Sequence, residues 1–176
     1  MSTLELDPAL LVTLRTLEEH DVEFVLVGDI AEAIYNEGGF VSGVAIVPGS
    51  YSRNVDRLCA ALLSLNAELG IAGKPDDRQL DLRRGADLRA LAPCSFMTSQ
   101  ADVDVEFEPH GTRGYRDLFD DAARIQLAPG VNPLVASTAD LERIVRGNAP
   151  PPPLAQPPVA LPPEPDELWA SAPTRV

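Results

Sequence analysis

Residues 22–35 read VEFVLVGDIAEAIY and contain the transition that decides the fold. The first six residues are apolar and β-prone apart from Glu23, and the run stops at Gly28, which predicts a central buried strand. Residues 30–35 continue as a short helix. Together with the segments around it, this strand and helix predict an α/β (α+β) domain in which helices flank a small mixed β-sheet.

The surrounding segments alternate between helix and strand patterns. Asp7 and Pro8 supply an N-cap and a first-turn proline for a helix whose leucines recur at helical spacing. The pattern over residues 55–69 predicts the longest helix, which Gly70 would end. The other predictions are strands over residues 40–47, 88–97 and 101–107, a loop over 70–85, a helix over 114–123, a hairpin around Pro129-Gly130, and a last helix from the N-cap Ser137 to about Gly147.

Residues 101–107 form the most chemically suggestive segment. Val103, Val105 and Phe107 alternate with acidic residues, and period two puts the apolar side chains on one face of a strand and the carboxylates on the other. The carboxylates are those of Asp102, Asp104, Glu106 and Glu108. This acidic face is interpreted either as part of a metal site or as a solvated sheet edge that prevents aggregation.

Composition limits the classes of partner. A chain of 176 residues with a net charge of −13 suits one acidic domain, and its charge repels phosphate backbones, so nucleic acid is not expected as a partner. Cys59 and Cys94 lie in apolar patterns without a paired-cysteine motif, which favours a reducing cytoplasm. No signal or membrane-spanning pattern is present in the sequence, so neither secretion nor a membrane partner is expected.

The composition changes abruptly after residue 148. Nine prolines fall within residues 150–165, and prolines at this density favour an extended, disordered segment over a packed one. We therefore divide the chain into a domain over residues 1–148 and a proline-rich tail over residues 149–176. Near its end, Leu168 and Trp169 follow acidic residues and predict a short motif that docks on a protein partner of basic charge.

The order of four segments resembles the minimal nucleotidyltransferase superfamily, and within it the AbiEii-type proteins associated with toxin–antitoxin systems. The segments are FVLVGDIAEAIY (24–35), VSGVAIVPGSYSRNVDRLCAALLSLNAELG (41–70), ADVDVEFEPHGTRGYRDL (101–118) and LVASTADLERI (134–144). The resemblance implies a strand ending in paired small residues near the nucleotide phosphates, an Asp-x-Asp pair on the next strand, and a third carboxylate on a later strand. Such carboxylates hold two divalent cations.

The chain departs from that pattern at the expected site. The second glycine after the first strand is replaced by Asp29, next to Gly28, and the Asp-x-Asp positions carry Gly43 and Ala45. Only the third acid is kept, as Asp104. The lysine expected in the last helix is also absent from LERIVRGN, where arginines are the nearest cations.

These departures predict a catalytically inactive nucleotidyltransferase-like domain that acts as a protein-interaction or regulatory module and needs no cofactor. An antitoxin or accessory subunit of acidic charge is a second class of binding protein that the sequence allows. The alternative is an active metal-dependent nucleotidyltransferase of the toxin–antitoxin type, which would bind Mg²⁺ and a nucleoside triphosphate through a rebuilt acidic site. That site would consist of Asp29, Asp102, Asp104 and Glu106.

Overall fold

The computed structural model describes residues 6–148, and within them six helices cover an eight-stranded mixed sheet. The helices are α1 (Pro8–Glu19), α2 (Gly28–Tyr35), α3 (Ser52–Ser64), α4 (Gly85–Leu91), α5 (Tyr115–Phe119) and α6 (Thr138–Asn148). The strands are β1 (Phe24–Val27), β2 (Val44–Pro48), β3 (Glu68–Ile71), β4 (Lys74–Pro75), β5 (Cys94–Met97), β6 (Val103–Val105), β7 (Ala123–Arg124) and β8 (Leu134–Val135). This architecture confirms the predicted fold class.

The strands follow the order β4-β3-β5-β6-β2-β1-β8-β7 across the sheet. β1 pairs antiparallel with β2 and parallel with β8, and β2 pairs parallel with β6. All four residues of β1 are buried, as its unbroken apolar sequence predicts. β1, β2 and β6 are therefore the central strands. Side chains can form a site at either end of these strands.

Helix boundaries follow the capping residues. The Ala9 N–H donates a hydrogen bond of 2.8 Å to the Asp7 carboxylate, and α1 begins at Pro8 as predicted. The Asp140 N–H donates to Ser137 Oγ at 3.1 Å, and Ser137 Oγ donates to the Asp140 carboxylate at 2.9 Å. Both ends of this exchange stabilise the first turn of α6, which confirms the predicted start of the last helix.

The prediction of a helix over residues 55–69 is wrong at its end. α3 stops at Ser64, Asn66 takes a left-handed conformation with φ 52°, and Leu69 belongs to β3. Leu69 fits the leucine spacing of the helix by sequence position alone. Its side chain packs on the same core as the leucines of α3, but it does so from a strand. Gly70 does not end a helix, because it lies within β3. A side chain is excluded there, since a β-carbon on Gly70 would lie 2.5 Å from the Lys74 carbonyl oxygen of the neighbouring strand.

Two further predictions are corrected in the following segment. Residues 70–85, expected as loop, begin with the β3–β4 hairpin, whose turn residues Ala72 and Gly73 both have positive φ. The expected strand over residues 88–97 is α4 followed by the shorter β5. A short apolar run does not distinguish a buried helix from a strand, so periodicity alone could not separate these two elements.

The remaining elements agree with the predictions apart from their lengths. The second predicted strand began at Phe40, but that side chain is 85% exposed and β2 begins at Val44. α5 covers only part of residues 114–123. The predicted hairpin around Pro129-Gly130 is present, with the Leu127 N–H donating to the Val131 carbonyl at 3.0 Å.

Within residues 6–148, no helix is long and apolar enough to cross a membrane. The predicted proline-rich tail, residues 149–176, and the predicted docking residues Leu168 and Trp169 lie outside the described residues.

Candidate functional site

The ends of β1, β2 and β6 bring three of the predicted site residues together. Val27 of β1 is paired with Ala45 of β2, and Ala45 is paired with Asp104 of β6. Gly28 follows Val27 directly. Gly28, Ala45 and Asp104 all line one open cleft of about 610 Å³.

Gly28 brings its backbone against the second strand. Its φ is +66°, a left-handed conformation that glycine adopts with little strain, and a β-carbon placed on it would lie 3.2 Å from the Ala45 β-carbon. The first turn of α2 therefore begins directly beside position 45. This approach leaves room for only a small residue at position 28.

Asp29 does not face the cleft. It is exposed in the first turn of α2, it is not among the residues that line the cleft, and its carboxylate accepts a hydrogen bond of 3.3 Å from Ser42 Oγ. A carboxylate in the first turn is favourable because it lies near the positive end of the helix dipole. This local role accounts for an acidic residue at position 29 without a ligand.

The two Asp-x-Asp positions differ in what they could hold. A β-carbon on Gly43 would lie 2.7 Å from the Asp102 carbonyl oxygen, and that oxygen accepts the Val44 N–H at 2.8 Å. The close contact between these two backbone segments therefore excludes a side chain at position 43. Ala45 is half-buried and does face the cleft, but its methyl group offers no ligand atom.

The acidic strand is split between two environments. Asp104 and Glu106 line the cleft, and the Asp104 carboxylate accepts a hydrogen bond from Ser95 Oγ. Asp102 does not line it. Nowhere in residues 6–148 do three or more His, Cys, Asp or Glu side chains form a group that could hold a metal ion. The four acids of the rebuilt site are thus not brought together, and the donor set does not fit a pair of divalent cations.

The opposite wall of the cleft contains residues that sequence reasoning missed. Lys74 of β4 lies there with Asp76 and Arg78, in the segment that was expected to be a loop. Arg78 Nη2 lies 2.6 Å from Asp76 Oδ2, and this hydrogen bond holds the pKa of the Asp76 carboxyl below its usual value. Gly73 was the one available signal, since a glycine in a short polar segment is typical of a tight turn.

The chain matches no protein-family model and no curated protein sequence. The chemical capacity of the cleft therefore rests on its own residues. One wall presents Asp104 and Glu106, and the other presents the Asp76–Arg78 pair and Lys74. Such an arrangement has charged groups of both signs, and the Ser95 hydroxyl donates to the Asp104 carboxylate, but the residues that line the cleft include no histidine and no set of metal ligands.

The structure contains two free thiols, one of them in the cleft, and both are expected to be unreactive. Cys94 lies in the cleft wall and Cys59 on α3, and both are buried. Burial raises the pKa of each thiol to about 11. At pH 8 only about one thousandth of each thiol would be the reactive thiolate.

We expect a thiol reagent such as Ellman's reagent to modify the native chain much more slowly at pH 8 than the same chain unfolded in urea. The unfolded chain is the control, because exposure returns both thiols to their ordinary pKa. Rapid modification of one thiol in the native chain would contradict the burial of that residue.

Proposed function

We propose that the chain is a nucleotidyltransferase-like domain without catalytic activity, which acts as a protein-interaction or regulatory module. The observation that carries this proposal is the pairing of Ala45 with Asp104 beside Gly28. At the position where the resemblance calls for a second carboxylate next to the retained acid, the side chain is a methyl group.

Phosphoryl-group chemistry on a nucleoside triphosphate needs carboxylates that hold divalent cations while those cations neutralise the phosphates. Asp104 alone cannot do this, and its carboxylate is already hydrogen-bonded to Ser95. Position 43 has no space for a side chain because of the Asp102 backbone. The missing ligand at position 43 thus has a structural explanation, whereas position 45 carries a methyl group that faces the cleft, and a single substitution would not restore both ligands.

The rebuilt acidic site is the less favoured function. It requires Asp29 and Asp102 to share one cation with Asp104 and Glu106. Of these four acids only Asp104 and Glu106 line the cleft, and the Asp29 carboxylate accepts a hydrogen bond from Ser42 outside it. The geometry supports no route by which the four carboxylates act together.

The test is titration calorimetry of the full chain with ATP, CTP, GTP and UTP in the presence of Mg²⁺ or Mn²⁺. We expect no metal-dependent binding of any of the four nucleotides. Metal-dependent binding at micromolar concentration, or transfer of a labelled nucleoside monophosphate, would overturn the proposal.

A matched pair of variants tests whether position 45 occupies the metal-facing position. Ala45→Asp puts a carboxylate next to Asp104 in the open cleft, whereas Ala45→Asn has the same size without the charge. We expect Mn²⁺ binding to increase in Ala45→Asp only, because two adjacent carboxylates attract a divalent cation. Equal Mn²⁺ binding by both variants would show that position 45 does not face a cation position.

Affinity capture from a cytoplasmic extract tests the proposed role in protein interaction. The cytoplasm is the chosen source because the two buried free thiols favour a reducing compartment. We expect the full chain to retain a protein partner of basic charge, such as a toxin or another subunit. The Leu168→Ala/Trp169→Ala variant should lose this partner. A partner that both chains retain equally would contradict a role for these two residues.

A further inference from the structure

A second and larger opening lies at the other edge of the sheet, where β1 and β8 begin and β2 ends. It has a volume of about 1460 Å³, and five arginine side chains line it. They are Arg57, Arg89, Arg113, Arg116 and Arg124. We call this opening the arginine groove.

The arginines of the groove have free donors. Arg57, Arg89 and Arg124 each donate one guanidinium N–H to a backbone carbonyl, at 3.1, 2.7 and 2.9 Å. The side chains of Arg113 and Arg116 make no hydrogen bond within residues 6–148. None of the five has a carboxylate oxygen within 4.0 Å among those residues, where the ion pairs involve other arginines. An arginine fork has five donors, so most of its capacity for carboxylates is unused here.

Aromatic side chains line the same groove. Tyr51 is 45% exposed and Phe119 is 48% exposed, and the Tyr115 ring lies 5.7 Å from the Phe119 ring between their centroids. Exposed aromatic rings next to guanidinium groups are characteristic of the centre of protein-binding surfaces. The groove therefore suits a segment that combines carboxylates with an aromatic anchor.

The charge of the groove stands out against the rest of the chain. Five carboxylates also line it, so its charges balance, whereas the whole chain carries −13. The acidic residues are Glu18, Asp21, Glu23, Glu108 and Asp120. Both Glu18 oxygens are directed to the Asn132 N–H, at 3.1 and 3.2 Å. On a strongly acidic surface, a neutral groove with free guanidinium groups is where an acidic segment meets the least repulsion.

Helix α6, the last element that the structure describes, packs on a loop that leads into this groove. A β-carbon on Gly147 of α6 would lie 2.6 Å from the His110 carbonyl oxygen, so the last turn of α6 packs on the loop 107–114. Phe107 and Arg113 of that loop line the groove. Arg143 also joins α6 to α5 through a 3.1 Å ion pair with Asp117. The last turn of α6 thus packs on the loop that continues into the groove, while no residue of α6 lines the groove itself and Ile144 lines the smaller cleft.

We propose that residues 164–169, EPDELW, bind in the arginine groove of the same chain. The segment has three carboxylates, a leucine and a tryptophan, which match the free guanidinium groups and exposed rings. Fifteen residues separate Asn148 from Glu164 and can span at most about 50 Å. Tethering supplies an effective concentration on the order of millimolar, so even a weak contact is populated.

Trp169 is the only tryptophan of the chain, so fluorescence excited at the long-wavelength side of the tyrosine absorption reports on this segment alone. At low ionic strength we expect the emission of the full chain to be blue-shifted and protected from acrylamide, and high salt should remove both effects. Arg113→Glu/Arg116→Glu should lower the docking constant by about tenfold or more, because it replaces two favourable pairs by repulsive ones. Emission that is already solvent-like in the wild-type chain would overturn the proposal.

Two controls separate docking from other causes. Arg53→Glu/Arg83→Glu changes the net charge equally at exposed arginines outside the groove, and it should leave the Trp169 emission unchanged. Adding Asp166→Lys/Glu167→Lys to the groove variant should restore the blue shift. Failure of this rescue in a folded chain, checked by circular dichroism, would overturn the pairing that we propose. A blue shift that disappears on dilution would also overturn the proposal, because it would show that the segment binds in the groove of a second copy of the chain.

Discussion

Asn54→Ala is expected to lower the free energy of unfolding by about 3–5 kcal/mol, among the largest effects of any single substitution in this chain. Asn54 of α3 is fully buried and makes three hydrogen bonds to backbone groups. Its Oδ1 accepts the Glu23 N–H at 2.7 Å, and its Nδ2 donates to the carbonyls of Glu23 and Gly49, each at 2.9 Å. Alanine would leave the buried Gly49 carbonyl and the partly buried backbone groups of Glu23 with fewer partners.

The measurement is urea unfolding followed by far-ultraviolet circular dichroism. Asn54→Asp is expected to be at least as destabilising as alanine, because its carboxylate would face the carbonyl oxygens of Glu23 and Gly49 instead of donating to them. Asn36→Ala is the control. Asn36 is exposed after the end of α2, so we expect its effect to stay within about 0.5 kcal/mol. A loss below about 1 kcal/mol for Asn54→Ala would contradict the bridging role.

Phe96→Ala is expected to cost about 3–5 kcal/mol of unfolding free energy, because it leaves a cavity in the core. Phe96 of β5 is completely buried and heads the set of large buried side chains. Its strand lies between β3 and β6, where Phe96 is paired with Leu69 and Val103. Neighbouring strands on both sides limit how far the core can collapse around the missing ring.

Phe40→Ala gives a matched control, since it removes the same atoms from a side chain that is 85% exposed. We expect it to change the unfolding free energy by less than about 0.5 kcal/mol. Both variants should be measured by urea unfolding at the same temperature. A difference between them of less than about 1 kcal/mol would show that β5 is not a core strand.

Predictions from the sequence succeeded where the deciding interactions are local. The caps of α1 and α6 depend on Asp7 and Ser137 and on N–H groups two or three residues further along. In β6, Val103 and Val105 are buried while Asp104 is exposed, as period two predicts. Predictions failed between Leu69 and Met97, because apolar residues there face one core from a strand, a helix and another strand in turn.

The candidate site was predictable only in part. The sequence alone predicted a strand–glycine–helix junction at Gly28 and an acidic strand around Asp104, and it resembled a nucleotidyltransferase in which the intervening acids are missing. It also placed Asp29 with Asp102, Asp104 and Glu106 in the alternative acidic site. The structure instead places Asp29 outside the cleft with Ser42 as its partner.

The sequence by itself determined the local elements of this protein, namely a buried β1, the capped helices and the alternation of the acidic strand. Only the tertiary structure decided that Ala45 pairs with Asp104, that position 43 has no space for a side chain, and that five arginines from residues 57–124 line one groove. The physical reason is range. Caps and periodicity act over a few residues, whereas strand pairing and side-chain convergence depend on packing across the whole sheet.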